Sequence, residues 1–210
     1  MKMRLTKEEE QTMRTYDTSA SEWSSKYSSK RFWGEEMDRF GELFPTGKVL
    51  EIGSGGGRDA KELIAKGYEY TGTDVSQGLL EEAKKANPNA TFLQQSVYDL
   101  DFPDDTFDGF WASAVLLHIP KDRIDEALGR LHSVVRSDGV GFISIIQGEG
   151  QKIVEDEPDM VDKRTRLFAY WQDDEFQEAL KRNKFEVVET KVRPMSERTT
   201  WLVYFVKVKK

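Results

Sequence analysis

Residues 50–60 read LEIGSGGGRDA, and four of the five residues from Gly53 to Gly57 are glycine. The run follows an apolar stretch directly and precedes a stretch with helical spacing. Each glycine costs conformational entropy on folding, so the cluster predicts a place where something approaches the backbone closely. A glycine-rich turn between a strand and a helix is typical of loops that bind nucleoside cofactors.

Strands and helices alternate outward from this loop. The pattern predicts five strands, at 48–53, 68–74, 90–95, 107–113 and 140–146. It predicts helices at 58–67, from the cap residue Ser76 to the stop at Asn87-Pro88, and after Pro120. Strands that alternate with helices indicate βαβ units and a parallel sheet.

The carboxyl-terminal part changes this rhythm. After a polar, irregular segment (147–165), whose run EDEPDMVDKR we interpret as a surface loop, a helix is predicted near 172–183. Two strand-like runs follow, at 185–192 and 199–208, and the short connection between them permits only an antiparallel hairpin. Both alternating residue sets of the last run are apolar, which predicts a strand inside the sheet.

The amino-terminal part is helical and rich in aromatic residues, with predicted helices at roughly 6–23 and 31–43. We therefore expect a single domain (1–210) with three parts. They are an N-terminal helical cap or lid (1–46), a cofactor-binding core (47–146), and a substrate-side insertion with the closing hairpin (147–210).

Composition excludes several classes of protein. The chain has 210 residues, a formal net charge of −7 and no cysteine. The acidic balance argues against nucleic acid as a partner. Without cysteine there are no disulfides, thiolate zinc sites or cysteine nucleophiles, which fits a reducing compartment. The charged start MKMRLTKEEE and the short apolar runs predict neither a secretory signal nor a membrane span, so we expect a cytoplasmic protein.

The loop and one carboxylate favour a nucleoside cofactor. Gly53, Gly55 and Gly57 let a ligand lie against bare backbone, beside the unpaired N–H groups of the next helix. Asp74, at the end of the second strand, is placed to accept hydrogen bonds from ribose hydroxyls. Arg58 occupies the position where the dinucleotide fingerprint G-x-G-x-x-G requires glycine, which disfavours a nicotinamide cofactor.

The chain resembles the class I S-adenosylmethionine-dependent methyltransferases, and within them the small-molecule "methyltransferase type 11" branch. Four segments carry the resemblance: VLEIGSGGGRDA, GTDVSQGLLEEA, FDGFWASAVLLHIP and LGRLHSVVRSDGVGFIS. The early YDTSASEW resembles the Tyr-Asp-x-x-Ala-x-x-aromatic segment that folds over the cofactor in such enzymes. The resemblance implies a Rossmann-like, doubly wound α/β sheet of seven strands, ordered 3-2-1-4-5-7-6 with the last strand antiparallel.

The resemblance also implies roles for individual residues. S-adenosylmethionine is the expected cofactor, a small molecule is the expected methyl acceptor, and no metal is required. Arg58 is expected to hold the cofactor carboxylate, Asp74 the ribose diol, and Ala112 with Ser113 the floor beneath the methionine portion. The full expected cofactor-binding set is Tyr16, Glu51, Gly53, Ser54, Gly55, Gly57, Arg58, Asp74, Val75, Ser96, Val97, Tyr98, Ala112 and Ser113.

The adenine end departs from the family pattern. Members often carry an acidic residue just after the third strand, and the aligned residue here is Ser96. The Ser96 hydroxyl, the Val97 backbone and the nearby Asp99 are the alternatives for the adenine contact.

Further candidates surround the expected acceptor. Tyr16 and Trp23 are lid candidates near the cationic cofactor, and Trp23 is equally well explained as a helix-packing residue. His118 follows the fourth strand and is a candidate general base, against a loop histidine bonded to backbone; we interpret His132 as exposed or structural. Arg166 and Phe168 are candidate acceptor contacts, together with Arg164, Tyr170 and Trp171; a solvated patch with core aromatics is the alternative.

Four functions follow from these observations. The first is methyl transfer to a small molecule, and the second is methyl transfer to a protein or another macromolecule. The third is a nicotinamide-dependent oxidoreductase, and the fourth is a non-catalytic relative that binds the cofactor. The sequence predicts neither the acceptor atom nor the oligomeric state.

Overall fold

The computed structural model describes residues 3–27, 31–155, 164–197 and 199–210. These residues contain nine strands: β1 (Lys48–Ile52), β2 (Glu69–Asp74), β3 (Thr91–Gln94), β4 (Phe107–Ser113), β5 (Val135–Ile146), β6 (Gln151–Glu155), β7 (Thr165–Ala169), β8 (Phe185–Ser196) and β9 (Thr199–Val208). They also contain seven α-helices: α1 (Lys7–Thr18), α2 (Ala20–Tyr27), α3 (Gly34–Leu43), α4 (Arg58–Ala65), α5 (Gln77–Ala86), α6 (Ile124–Val134) and α7 (Asp173–Arg182).

Seven of the strands form one sheet in the order β3-β2-β1-β4-β5-β9-β8. The first five pair in parallel, and β9 runs antiparallel to both β5 and β8. This arrangement confirms the predicted Rossmann-like order, because β6 and β7 precede the closing hairpin and only shift its numbering. The carboxyl ends of β1 and β4, where the strand order reverses, therefore lie together at one edge.

The core occupies both faces of the sheet. Residues alternate along each strand, so Leu50 and Phe110 pack on one face while Val49 and Trp111 pack on the other. The Trp111 ring stacks on Phe142 of the neighbouring strand with centroids 3.7 Å apart. β9 is buried on both faces, as its two apolar residue sets predicted.

Two segments differ from the sequence expectation. The supposedly irregular segment 147–165 contains β6 and the start of β7, which pair as an antiparallel hairpin. These strands are short and half-exposed, so they carry little of the apolar alternation that identifies a strand. Residues 156–163 of the predicted surface loop lie outside the described residues.

The predicted helix at 6–23 is two helices, α1 and α2, that meet at Ser19. α1 ends at the C-cap Ser19, whose hydroxyl competes with its own backbone N–H for the Thr15 carbonyl. Side-chain hydrogen bonds of serine to the preceding turn compete with helix continuation, and single-sequence periodicity does not register them. Among the helices that the structure describes, none is both long and apolar enough to cross a membrane.

Candidate cofactor and acceptor site

A cavity of about 500 Å³ opens at the carboxyl ends of β1, β2 and β4. Its floor is the glycine loop and the strand ends, and its roof is α1, α2 and β7. A volume in this range and a mixed apolar and polar lining are typical of small-molecule sites. The lining includes every predicted cofactor-binding residue except Ala112.

The glycine loop uses its glycines in two ways. Gly53 and Gly57 have φ of +67° and +78°, and a Cβ there would lie 2.5 Å from Val115 and 2.6 Å from Asn87. These two glycines let the loop pack tightly. Gly55 also has a positive φ, of +53°, but nothing lies within 4 Å of its Cβ position. Because Gly55 lines the cavity, its backbone is open to a ligand.

Asp74 lies beside Gly55 at the end of β2. Its carboxylate accepts hydrogen bonds of 2.9 Å from the backbone N–H groups of Gly55 and of Ser76. Burial removes solvation from the carboxylate and raises the pKa of Asp74 to about 6, while the backbone hydrogen bonds oppose the shift. At pH 7 this group is therefore ionised and oriented by the loop that it faces.

Two ionisable residues that flank the loop, Arg58 and Glu51, already have hydrogen-bond partners. The Arg58 guanidinium forms a two-point ion pair with Asp59, at 2.6 and 3.0 Å, and the Trp111 indole N–H donates to the same carboxylate. The ion pair uses Nε and Nη2 of Arg58, so Nη1 is the guanidinium nitrogen that does not bond to Asp59. Glu51 accepts a hydrogen bond from the Tyr70 hydroxyl, and burial together with the nearby Asp59 raises the pKa of Glu51 well above its usual value.

Three buried hydroxyls in the lining have no hydrogen-bond partner among the described residues: those of Ser24, Ser54 and Ser113. Buried polar groups are nearly always satisfied, so these oxygens indicate that a polar ligand belongs in the cavity. Together with the open backbone at Gly55, they fit a nucleoside cofactor with an amino-acid portion. Sequence reasoning missed Ser24, because α2 brings it to the loop only in the folded chain.

The adenine end is built from the turn after β3. Ser96 and Val97 are buried and line the cavity, and the Ser96 hydroxyl accepts the backbone N–H of Tyr98. The Tyr98 hydroxyl donates to Glu9, and the Arg123 guanidinium lies 3.7 Å from the Tyr98 ring centroid. Asp99 does not line the cavity, because it forms an ion pair of 2.7 Å with Arg4.

Ala112 differs from the prediction. It is fully buried in the core beneath the sheet, and the cavity floor is formed by Ser113, Ala114 and Val115 instead. The side chains of a strand alternate between faces, so only the end of β4 turns toward the cavity.

The segment YDTSASEW, predicted to be a lid, packs on the core through Asp17 and Ala20. The Asp17 carboxylate accepts hydrogen bonds from the Ser76 hydroxyl, at 2.6 Å, and from the Gly78 backbone N–H, at 3.0 Å. A Cβ at Gly78 would lie 2.8 Å from the Asp17 carbonyl and 3.2 Å from Ala20. Asp17 thus caps the amino terminus of α5 from another helix, and the small residue at position 78 was the available sequence signal.

Tyr16, His118 and Arg166 form a hydrogen-bonded chain in the cavity wall. The His118 Nδ1 atom lies 2.6 Å from the Leu167 carbonyl, which only accepts, so Nδ1 carries the hydrogen. Nε2 then accepts from the Tyr16 hydroxyl, at 2.9 Å, and Arg166 donates to the Tyr16 oxygen, at 3.3 Å. Burial and the Arg166 charge lower the pKa of His118 to about 4, with the Leu167 bond opposing.

These hydrogen bonds restrict the predicted base role of His118. The ring is neutral at pH 7, and its one accepting nitrogen faces Tyr16. A proton from the acceptor would reach His118 only through the Tyr16 hydroxyl.

The remaining predicted residues divide between cavity and surroundings. Trp23, Arg166 and Phe168 line the cavity, whereas Tyr170 and Trp171 do not. Arg164 pairs with Glu22 of α2, and Trp171 packs in the core. His132 lies outside the cavity, with Nε2 2.8 Å from the Lys209 carbonyl, as its structural interpretation predicted.

The roof is held together by threonines of α1. The Thr12 hydroxyl accepts the Leu167 N–H, at 2.8 Å, and the Thr15 hydroxyl donates to the Thr165 carbonyl, at 2.8 Å. These bonds attach α1 to the edge of β7. Within the described ranges, no group of three or more His, Asp or Glu side chains is arranged to hold a metal ion.

Comparisons with known proteins agree with this fold. The family model "Methyltransferase domain" matches residues 49–139. An uncharacterised methyltransferase of Synechocystis sp. is 30% identical over 98 residues, which are 47% of this chain and 46% of that protein. The chain spans about half the length of the first curated relatives it matches, or less.

Two solved structures share the fold. The 1,6-didemethyltoxoflavin-N1-methyltransferase of Burkholderia thailandensis, with bound 1,6-didemethyltoxoflavin and S-adenosylhomocysteine, superposes with a TM-score of 0.78. It is 20% identical, and the match covers 100% of this chain and 94% of that one. The [4+2]-cyclase SpnF superposes with a TM-score of 0.73 at 14% identity, covering 99% and 98%.

The sheet order and the glycine loop define a Rossmann-like domain, a fold whose ligands bind at the topological switch point. Residues 49–139 of the chain match the methyltransferase-domain family, and the sheet has the fold of a methyltransferase solved with bound S-adenosylhomocysteine. The cofactor of this family is S-adenosylmethionine.

Proposed function

We propose that this protein transfers a methyl group from S-adenosylmethionine to a small-molecule acceptor. One observation carries the proposal: Gly55 opens its backbone to the cavity while its N–H orients the Asp74 carboxylate. That pairing provides a close approach for a ligand and a hydrogen-bond acceptor for its sugar hydroxyls. The family assignment identifies the ligand that this arrangement suits.

Each part of the cavity has a role in the proposal. The Asp74 carboxylate accepts from the ribose hydroxyls, and Ser96 and Val97 border the adenine. The unpartnered hydroxyls of Ser24 and Ser54, with Nη1 of Arg58, serve the amino-acid portion. Charged amino-acid ligands are recognised by such hydrogen bonds when the site is withdrawn from water.

Methyl transfer mainly requires the protein to align the acceptor with the methyl group. When bound, S-adenosylmethionine supplies a sulfonium methyl group that is already electrophilic. The chain then has to hold an acceptor in line with that methyl and exclude water, and in this proposal the roof of α1, α2 and β7 has that role. Tyr16 and His118 hold a hydrogen bond beside the acceptor region, and Trp23, Arg166 and Phe168 form its wall.

Two contacts over the cavity favour a small acceptor over a macromolecular one. α2 lies directly on the glycine loop, and Arg164 joins β7 to α2 through Glu22. A protein segment would have to displace these contacts to reach the site. The Burkholderia methyltransferase of the same fold holds a small molecule, 1,6-didemethyltoxoflavin, which supports the same class. A cytoplasmic location, consistent with the lack of cysteine, is part of the proposal.

Calorimetric titration with S-adenosylmethionine and S-adenosylhomocysteine tests cofactor binding. We expect micromolar binding of both, and binding weaker than millimolar for both would refute the proposal. Methyl release measured against a metabolite panel and against extract proteins separates small from macromolecular acceptors. Tight cofactor binding without methyl release to either panel would favour a non-catalytic relative, for which the SpnF likeness shows that the fold alone does not define the reaction.

A further inference from the structure

The roof of the cavity, formed by α1, α2 and β7, presents a wall of aromatic side chains to the cavity. Phe168 packs against the His118 ring with centroids 4.9 Å apart, and Tyr16 packs against Trp23 at 5.2 Å and against His118 at 5.5 Å. All three contacts are edge-to-face, the arrangement that aromatic quadrupoles favour. The rings form one connected group that is oriented before any ligand enters.

A guanidinium lies within this ring group. The Arg166 carbon Cζ is 5.1 Å from the ring centroids of both Trp23 and Phe168, and 5.8 Å from that of Tyr16. Aromatic rings attract a guanidinium placed this close, so the cationic side chain of Arg166 is part of the same wall.

The carboxylates of the lining are committed to other contacts. Within the described residues four line the cavity: Glu9, Glu51, Asp59 and Asp74. They bond respectively to Arg123, Tyr70, Arg58 and the backbone at Gly55 and Ser76. A cationic acceptor would therefore lie beside the Arg166 guanidinium and aromatic edges, and none of these four carboxylates would be available to pair with its charge.

The wall is also rigid. β7 carries Arg166 and Phe168, and the hydroxyls of Thr15 and Thr12 bond its backbone at Thr165 and Leu167, on either side of Arg166. The His118 ring adds a third bond to the same strand, at the Leu167 carbonyl. A preformed aromatic wall selects ligands by shape, because little ordering is needed on binding.

We propose that the acceptor is a planar aromatic molecule that carries no positive charge, with its ring against Phe168, Trp23 and the Arg166 guanidinium. An anionic or carbonyl edge of the acceptor faces Arg166. This inference rests on the proposed function and names its substrate class.

Three probes separate ring shape from charge. Calorimetry on the protein saturated with S-adenosylhomocysteine compares 2-naphthoate, its saturated counterpart decahydro-2-naphthoate, and 2-(aminomethyl)naphthalene. We expect 2-naphthoate to bind at least tenfold more tightly than either of the others. Equal or tighter binding of the saturated acid overturns the aromatic part, and tighter binding of the amine overturns the charge part. Absence of naphthoate binding overturns both.

Matched variants locate the contact. Phe168→Leu keeps an apolar side chain and is expected to weaken the binding of 2-naphthoate about three- to tenfold, while the affinity for S-adenosylhomocysteine stays unchanged. Phe102→Leu removes a ring that packs against the core outside the cavity lining and should change neither affinity. Trp23→Leu is the second variant at the wall, and unchanged naphthoate affinity in both wall variants contradicts the proposal.

The two proposals fail in different ways. If S-adenosylhomocysteine does not bind, the proposed function is wrong. If it binds and the three probes are not distinguished, only the acceptor class is wrong.

Discussion

Gly56→Ala tests whether α2 closes the cofactor site by resting on the glycine loop. A Cβ at position 56 would lie 2.2 Å from the Ser24 hydroxyl oxygen and 2.9 Å from its Cβ, whereas ordinary contacts begin at 3.4 Å. Gly56 is not among the residues with positive φ, so alanine strains no backbone there. The whole cost therefore falls on the contact with α2. Overpacking of this kind costs about 1–3 kcal/mol.

The magnitude converts directly into an affinity. If α2 must rest on the loop for the cofactor to bind, that cost weakens S-adenosylhomocysteine binding about 5- to 150-fold. Calorimetry measures the affinity, and amide hydrogen exchange of α2 reports whether the helix has moved away. We expect weaker binding together with faster exchange in α2.

A compensating variant completes the test. Ser24→Gly removes both close atoms and leaves the Ser24 Cα, 3.4 Å from the Cβ position of residue 56. In the Ser24→Gly background, Gly56→Ala should cost much less affinity than it does alone, which a double-mutant cycle quantifies. Ser21→Gly, at an exposed position of the same helix, controls for the helix propensity of glycine. Additive losses would refute the contact, and unchanged affinity in Gly56→Ala would refute the closing role of α2.

Three further predictions concern single residues. The ionised Asp74 carboxylate is the form that accepts from ribose, and burial raises its pKa to about 6, so the affinity for S-adenosylhomocysteine should fall about tenfold between pH 7 and pH 5 in calorimetry. The Asp74→Asn variant should bind weakly and with little pH dependence. A wild-type affinity that does not change with pH would count against the ribose contact. Asp17→Ala removes the cap on α5 and should lower the free energy of unfolding by about 0.5–2 kcal/mol in urea denaturation; no loss of stability would contradict the capping role. In the His132→Gln variant, where His118 is the remaining histidine, NMR should show the His118 ring protonated on Nδ1 and titrating near pH 4. Since the folded pKa of His118 lies below the unfolded value of 6.5, the contribution of His118 to stability is lost as pH falls from 6.5 toward 4. A titration of His118 near pH 6.5 would exclude the buried geometry.

Much of the architecture was predictable because it is local. The alternation of apolar runs with helical spacing placed the five parallel strands and the closing hairpin within a few residues of their observed bounds. The glycine loop and Asp74 were predictable for the same reason, since both follow strand ends whose carboxyl edges meet in a parallel sheet.

The hairpin of β6 and β7 was not predictable, because its residues are half-exposed and its stabilising partners lie elsewhere. Thr12 and Thr15 sit in a helix more than a hundred residues away, and nothing in their spacing identifies a strand as their partner. For Ala112, a local motif predicted a cavity contact that the folded strand does not make. Its position in a matching motif suggested a contact, but the alternation of side chains along β4 turns it into the core.

The sequence by itself determined the sheet, its order through the family resemblance, and the loop that meets the cofactor, because these depend on periodicity and on glycines next to one another. Only the tertiary structure decided what covers that loop. The contact of Ser24 with Gly56, the Asp17 cap on α5 and the chain from Leu167 through His118 to Tyr16 each join residues 32 to 102 positions apart. Such contacts arise when helices and strands pack, and packing depends on three-dimensional shape that no local pattern encodes.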